Sequence, residues 1–169
     1  TLFVANIYYL EAEDFIIRRF INSSKTISFY NESNFNRIGA EIDFQMATSD
    51  SKLFVNLAYQ KEGNTEVIDD PTAFNIPRLS LSIGASTDIN DIHSIGSNIS
   101  YIGARHNLDG YSVVNINYTA RLTYFDLFAV VRNVFDEDIL NSDNTSQDSN
   151  LVAHGEEGVN FQLGFKFHF

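Results

Sequence analysis

The sequence predicts an all-β fold, an antiparallel wall of about eight strands that each carry one oily and one polar face. Three observations lead there: strict alternation at the C-terminus, the same alternation repeated along the chain, and connections that are short on one side and long on the other. From Gly158 onward, Val159, Phe161, Leu163, Phe165, Phe167 and Phe169 alternate with polar residues or glycine. Successive side chains of a strand point to opposite faces, so this segment is greasy on one side and wet on the other.

Earlier segments repeat the pattern. Phe3, Ala5, Ile7 and Tyr9 share a first, weaker face, blurred by Leu2 and Val4. Ile38, Ala40, Ile42, Phe44 and Met46 alternate with Arg37, Gly39, Glu41, Asp43 and Gln45. Leu53, Val55, Leu57 and Tyr59 alternate with Lys52, Asn56 and Gln60, although Phe54 and Ala58 fall on the polar side. Leu79, Leu81, Ile83 and Ala85 alternate with Ser80, Ser82, Gly84 and Ser86. Ile95, Ile99 and Tyr101 oppose Ser94, Gly96, Asn98 and Ser100. Val114, Ile116, Tyr118, Ala120 and Leu122 oppose Asn115, Asn117, Thr119 and Arg121. Phe125, Leu127, Ala129 and Val131 oppose Asp126 and Arg132.

Short links are expected near Thr48–Ser51, Ile89–Ile92 and Thr123–Tyr124, and long ones near Asp14–Phe35, Glu62–Ile76, Arg105–Gly110 and Asp136–Glu157. Outer-membrane barrels have this asymmetry, with tight periplasmic turns and long extracellular loops. With a periplasmic C-terminus, every long link falls outside the cell. Tyr9, Tyr59 and Tyr101 then sit near the outer end of the oily face, and Phe3, Phe44, Phe125, Phe167 and Phe169 near the inner end. Two such girdles suit amphipathic rings at two lipid interfaces. Soluble sandwiches and barrels also alternate, with the apolar face turned inward. The length of the alternation, the two-sided connections and the terminal phenylalanine favour the membrane arrangement.

Composition agrees. The 169 residues carry a net charge of −11, with no basic patch to hold nucleic acid. There is no cysteine, so no disulfide framework or cysteine zinc site is possible. No apolar run reaches the length of a spanning helix, which argues against a helical membrane protein and leaves a barrel open. No signal peptide is present, and Thr1 runs straight into a strand-like segment, as in a mature protein or a piece of a longer one.

Little points to covalent chemistry. His93, His106, His154 and His168 have no metal-motif spacing, and no nucleophile elbow or phosphate loop occurs. No enzyme activity, cofactor or metal is expected. His168 falls on the polar face, where a solvated or hydrogen-bonded role is expected. The acidic stretch from Asp136-Glu137-Asp138 through Asp143, Asp148, Glu156 and Glu157 reads as a solvated outer loop; a calcium reading lacks the EF-hand glycine. Such loops are expected to bridge to lipopolysaccharide through divalent cations. The local binding candidates are Arg105 and His106, beside Asn107, with Tyr111 beyond them; the bland alternative is an ordinary polar loop tip.

Several motifs, in order, resemble the C-terminal part of TonB-dependent outer-membrane receptors. Asn133-Val134-Phe135-Asp136 resembles the family's Asn-Leu-Phe-Asp signature. Gly39-Ala40-Glu41 resembles its Gly-Val-Glu element, preceded by Phe29-Tyr30-Asn31 or Asn34-Phe35-Asn36 as the Tyr/Phe-x-Asn stretch. Ile76-Pro77-Arg78 resembles the proline opening a later strand, and Tyr101-Ile102-Gly103-Ala104-Arg105 a Tyr-x-Gly-x-Arg segment. Gly158, Gly164 and Phe169 are spaced like the closing strand, although Val159 stands where the family commonly has arginine.

The resemblance implies a larger parent: a barrel of about 22 strands around an N-terminal plug. It implies bacterial outer-membrane localisation and energised uptake of a scarce nutrient: a metal chelate or siderophore, cobalamin, an oligosaccharide or a peptide. It implies as partners the remaining barrel and plug, the TonB complex reached through the plug, outer-membrane lipid and lipopolysaccharide, and the barrel-assembly machinery, to which Phe165, Phe167 and Phe169 would present the C-terminal signal. The plug and TonB box are not in this chain. The alternative is a self-contained eight-stranded barrel with an anchoring or adhesive role, its lumen packed by residues such as Arg37, Glu41, Asp43, Arg78, Arg121, Asp126, Arg132 and Lys166.

Overall fold

The structure, a computed structural model, describes residues 1–21, 26–62, 76–105, 108–142, 153–155 and 158–168. One antiparallel sheet holds β1 (Leu2–Ile21), β2 (Thr26–Ala47), β3 (Ser51–Glu62), β4 (Leu79–Asp88), β5 (His93–Ile102), β6 (Tyr111–Arg121), β7 (Phe125–Arg132) and, beyond it, β10 (Asn160–Phe167). The short strands β8 (Leu140–Ser142) and β9 (Ala153–Gly155) form a separate ribbon within the last long connection. The eight predicted strands therefore all form, each beside its sequence neighbour. The sheet is open: among the described residues β1 and β10 lie at opposite edges and do not pair, so these strands do not make the small closed barrel.

The register places most of the oily residues on one face. Phe161, Val131, Ile116, Ser97, Ala85, Leu53 and Met46 stand in one continuous row of cross-strand partners. The neighbouring row of the opposite face runs through Gln162, Val130, Asn117, Gly96, Ser86 and Lys52. Among the described residues no second layer covers either face. Among the described residues the only buried apolar ones are Leu108, Ala120 and Ile139, and no large side chain is fully buried. A soluble domain hides its apolar face between layers; here Ile7 is 83% exposed, and Phe161, Leu163, Phe165 and Phe167 each exceed 50%.

The same row reveals the strand tilt. It starts at the long-loop end of β10 and finishes at the short-turn end of β2. Crossing from β10 to β2 takes six steps, each about 4.8 Å. Phe161 lies six residues above Phe167 at the foot of β10, about 20 Å along the strand. The strands therefore lean by about 35°, the stagger that closure of a membrane barrel requires. At that tilt, strands of 8–11 residues such as β4 to β7 cross an apolar band of about 25 Å.

The short turns are tight, as predicted. Asn90 Oδ1 accepts from the backbone N–H groups of Ile92 (2.9 Å) and His93 (2.8 Å), which turns the chain between β4 and β5. Leu122 N–H bonds the Phe125 carbonyl at 2.9 Å to close the next hairpin.

One expected long link needs correction, and two others fall where expected but carry structure of their own. Most of Asp14–Phe35 is strand: β1 and β2 stay paired from Phe15↔Glu32 to Ile21↔Thr26, well above the rest of the sheet. Arg105–Gly110 is tightened by paired backbone bonds between Arg105 and Leu108, 2.9 and 2.7 Å long. Asp136–Glu157 contains the β8–β9 ribbon. Residues 63–75 of the remaining long link lie outside the described residues.

Large residues on the polar face have a purpose that alternation alone does not reveal. Tyr8, Phe54 and Phe128 are the direct cross-strand partners of Gly39, Gly84 and Gly164. Each ring lies over its glycine, where a Cβ would collide with it. Ring-on-glycine pairs cover bare backbone and pin register. Gly164→Val should force the Phe128 ring aside and cost about 1–3 kcal/mol, measurable as a lower denaturant midpoint, with Phe128→Leu in the same chain restoring part of the loss.

Candidate functional site

The long-loop rim of the polar face gathers the residues best suited to meet a ligand. The tight Arg105–Leu108 turn holds Arg105 so that its guanidinium carbon lies 5.6 Å from the centre of the Tyr111 ring, a cation–π stack. The structure thus joins two of the three predicted binding residues; His106 lies outside the described residues. Below them Ser100, Ile102, Tyr111, Asn115, Arg132 and Asn160 line part of a concavity of about 670 Å³. Among the described residues Arg132 is its only charged lining residue.

The Asn133–Asp136 turn contributes Asn133 to the lining of this concavity. Its motif residues serve structure. Asn133 (φ 50°) and Asp136 (φ 55°) adopt the left-handed conformation that short polar side chains tolerate best. Asn133 is 3% exposed. Its amide donates to the Glu137 carbonyl and its side-chain oxygen accepts from the Glu137 N–H, both at 2.8 Å. Its own N–H donates to Asn115 Oδ1 at 3.0 Å, which ties the turn to β6. Asp136 accepts the Val159 N–H at 2.9 Å, and a Cβ at Gly158 would strike the same carboxylate. Asp136, read in sequence as part of a solvated acidic run, thus holds the start of β10 in place. Asp143, Asp148, Glu156 and Glu157 of that run lie outside the described residues.

Elsewhere the polar face carries hydrogen-bonded side chains. Gln60 Oε1 accepts from Arg37 at 3.3 Å, and Gln60 Nε2 donates to the Pro77 carbonyl at 3.0 Å. At the short-turn rim Arg121 meets Asp88 at 3.2 Å, and His168 Nε2 lies 3.1 Å from Asp126 Oδ1. The predicted hydrogen-bonded role of His168 is met by this contact. These pairs are partly exposed, so they orient side chains more than they stabilise the sheet.

The oily face has the bands expected of a membrane surface. Tyr59 and Tyr101 stand near the long-loop ends of β3 and β5, and Tyr9 stands midway along β1, opposite Ile38 of β2. At the other end Phe125 packs against Phe165 and Phe167, with ring centres 5.8 Å apart in both cases. Phe165 and Phe167 of the predicted C-terminal signal are thus outward and exposed, whereas Phe169 lies outside the described residues. Ser97, a polar residue midway along this face, donates its hydroxyl to the Asn115 carbonyl at 3.0 Å. That bond removes the cost of an unpaired hydroxyl in hydrocarbon.

No protein-family model and no curated protein matches the sequence. Solved structures do match. Over 99% of this chain, the copper transporter OprC superposes with TM-score 0.74 at 23% identity. The ferric-catecholate import receptor Fiu from E. coli K12 gives 0.69 at 20%, and the siderophore receptor PirA from Acinetobacter baumannii 0.73 at 15%, each also over 99%. All three are TonB-dependent receptors of the outer membrane. The chain spans 29%, 25% and 29% of their respective lengths. The motif resemblance and the strand geometry therefore converge: the chain has the fold of one stretch of the barrel wall of a TonB-dependent outer-membrane receptor.

Proposed function

We propose that this chain is the closing stretch of wall in a TonB-dependent receptor of the bacterial outer membrane, which takes up a scarce nutrient. The observation that carries the reading is the open, tilted, single-layer sheet with an oily outer face, superposable over nearly its whole length on receptors for copper and siderophores. The remaining strands continue from the free edges of β1 and β10. A plug fills the lumen against the polar face, and TonB acts on that plug. The wall does no covalent chemistry; it supplies the scaffold, the lumen surface and the outer rim.

Arg105, His106 and Tyr111 are the proposed wall contacts for cargo. The Arg105–Tyr111 stack presents a cation and a flat ring at the mouth of the rim concavity, which suits a metal chelate with anionic, aromatic arms. Cells making the full-length protein should take up ferric catecholate, and collapse of the proton gradient should abolish that uptake. Copper supplies the second probe. Uptake of a probe that persists at full rate without the gradient would refute the energised reading. Arg105→Ala with Tyr111→Ala should lower initial uptake about tenfold, the loss of about 1.4 kcal/mol of contact; unchanged uptake would remove both residues from the site.

A further inference from the structure

We propose that the oily face carries a binding groove for a phospholipid of the inner leaflet, a site that rests on the membrane orientation above. Near the short-turn end the face is notched. Ala85 and Ser97 are direct cross-strand partners on β4 and β5, with small side chains where neighbouring rows carry Ile83 and Ile99. Met46, Leu53 and Ile95 rise around them, and the hollow has a volume of about 390 Å³. Ser97 directs its hydroxyl to the Asn115 carbonyl, so the floor presents hydrocarbon and no free donor.

One end of the hollow is polar. Ser51 and Thr87 face the same side as Leu53 and Ala85, and their hydroxyls meet at 2.8 Å at its foot. On the next strands His93 and Tyr118 form a second ledge on that face. Tyr118 Oη lies 2.6 Å from His93 Nδ1, and the rings stack with centres 5.9 Å apart. An apolar trough that ends in hydroxyls, with the His93–Tyr118 pair on the strands beside it, matches one kind of occupant. An acyl chain fills the trough, and a phosphate or glycerol oxygen reaches the Ser51–Thr87 and His93–Tyr118 ledge. A second protein would need more than this narrow notch to hold it. The short-turn rim is periplasmic, so the lipid comes from the inner leaflet, whose headgroups lie at that level.

The test uses the full-length protein reconstituted in vesicles of phosphatidylethanolamine and phosphatidylglycerol containing spin-labelled phosphatidylglycerol. The unaltered protein should hold an immobilised lipid population. Ala85→Leu with Ser97→Leu fills the trough and should abolish it. Ser51→Ala with Thr87→Val leaves the trough open, removes the ledge, and should speed lipid exchange about tenfold. This second variant keeps the test decisive if the first fails to insert. Immobilised lipid that is unchanged by the ledge variant, in protein that still enters the vesicles, overturns the groove. So does a change in oligomeric state without a change in lipid, which would assign the notch to a second copy. Protein that does not enter vesicles at all counts instead against the membrane reading itself.

Discussion

Leu163→Arg should destabilise the vesicle-embedded full-length protein by about 2–4 kcal/mol, whereas Gln162→Arg should change it by less than about 0.5 kcal/mol. The two residues are adjacent in the middle of β10, so strand propensity, loop distance and added charge are matched. They differ in the face they occupy. Leu163 is 55% exposed on the oily side beside Phe161 and Phe165, and Gln162 lies on the side of Asn160 and Lys166. A guanidinium in hydrocarbon must be hydrated or neutralised, and either is costly near the midplane. In a polar lumen the same group stays solvated. Denaturant midpoints in vesicles measure both. Equal losses, or a larger loss at Gln162, would contradict the assignment of faces.

The second large effect belongs to Asn133. Asn133→Ala removes two 2.8 Å bonds to Glu137 from a nearly buried position and leaves an alanine at φ 50°. Orphaned backbone groups cost about 1–3 kcal/mol, and a left-handed alanine about 1 more. The expected total is about 2–4 kcal/mol. Asn133→Gly separates the causes: it relieves the backbone and still loses the bonds, so its cost should fall roughly 1 kcal/mol below that of alanine. The disturbance should be read next door. The Val159 N–H, held by Asp136 of the same turn, should exchange its hydrogen faster in the alanine variant. Unaltered exchange at Val159 together with an unaltered midpoint would show that the turn does not secure β10.

Period-two alternation made most of the sheet legible because lipid on one face and a polar lumen on the other impose it residue by residue. β4 and β10 show this clearly, with Leu79, Leu81 and Ile83 or Phe161, Leu163 and Phe165 all on one side. The pattern failed where that pressure ends. Above the shared sheet, β1 and β2 continue, among the described residues, as a two-stranded ribbon in which Ile16-Ile17 and Arg18-Arg19 are doublets, so no face is marked and a loop was expected. Tyr8, Phe54 and Phe128 were hidden for a different reason. They look like breaks in alternation until register sets each across from a glycine, and register is a long-range property.

The candidate site was legible only in part. Arg105 and Tyr111 stood out as a basic and an aromatic residue near a predicted loop, and the turn between Arg105 and Leu108 brings them together. Arg132 and Asn160 line the concavity with Tyr111, yet they are distant from it in sequence and reach the concavity only through strand pairing. The Asn133–Asp136 motif was recognisable as a family resemblance, but its physical role was not. Its signal was present, since asparagine and aspartate at a strand end are the residues that accept positive φ.

The most direct test of the outward oily face is a cysteine scan along β10. The chain has no cysteine, so each substitution labels one site in it. Spin labels at positions 161 to 166 of the full-length protein in vesicles would be probed with oxygen, which concentrates in hydrocarbon, and with a water-soluble nickel chelate. Labels replacing Phe161, Leu163 and Phe165 should favour oxygen, and those replacing Gln162, Gly164 and Lys166 should not. Labels at Phe161, Leu163 and Phe165 shielded from oxygen, with those at the intervening sites reached by it, would contradict the account.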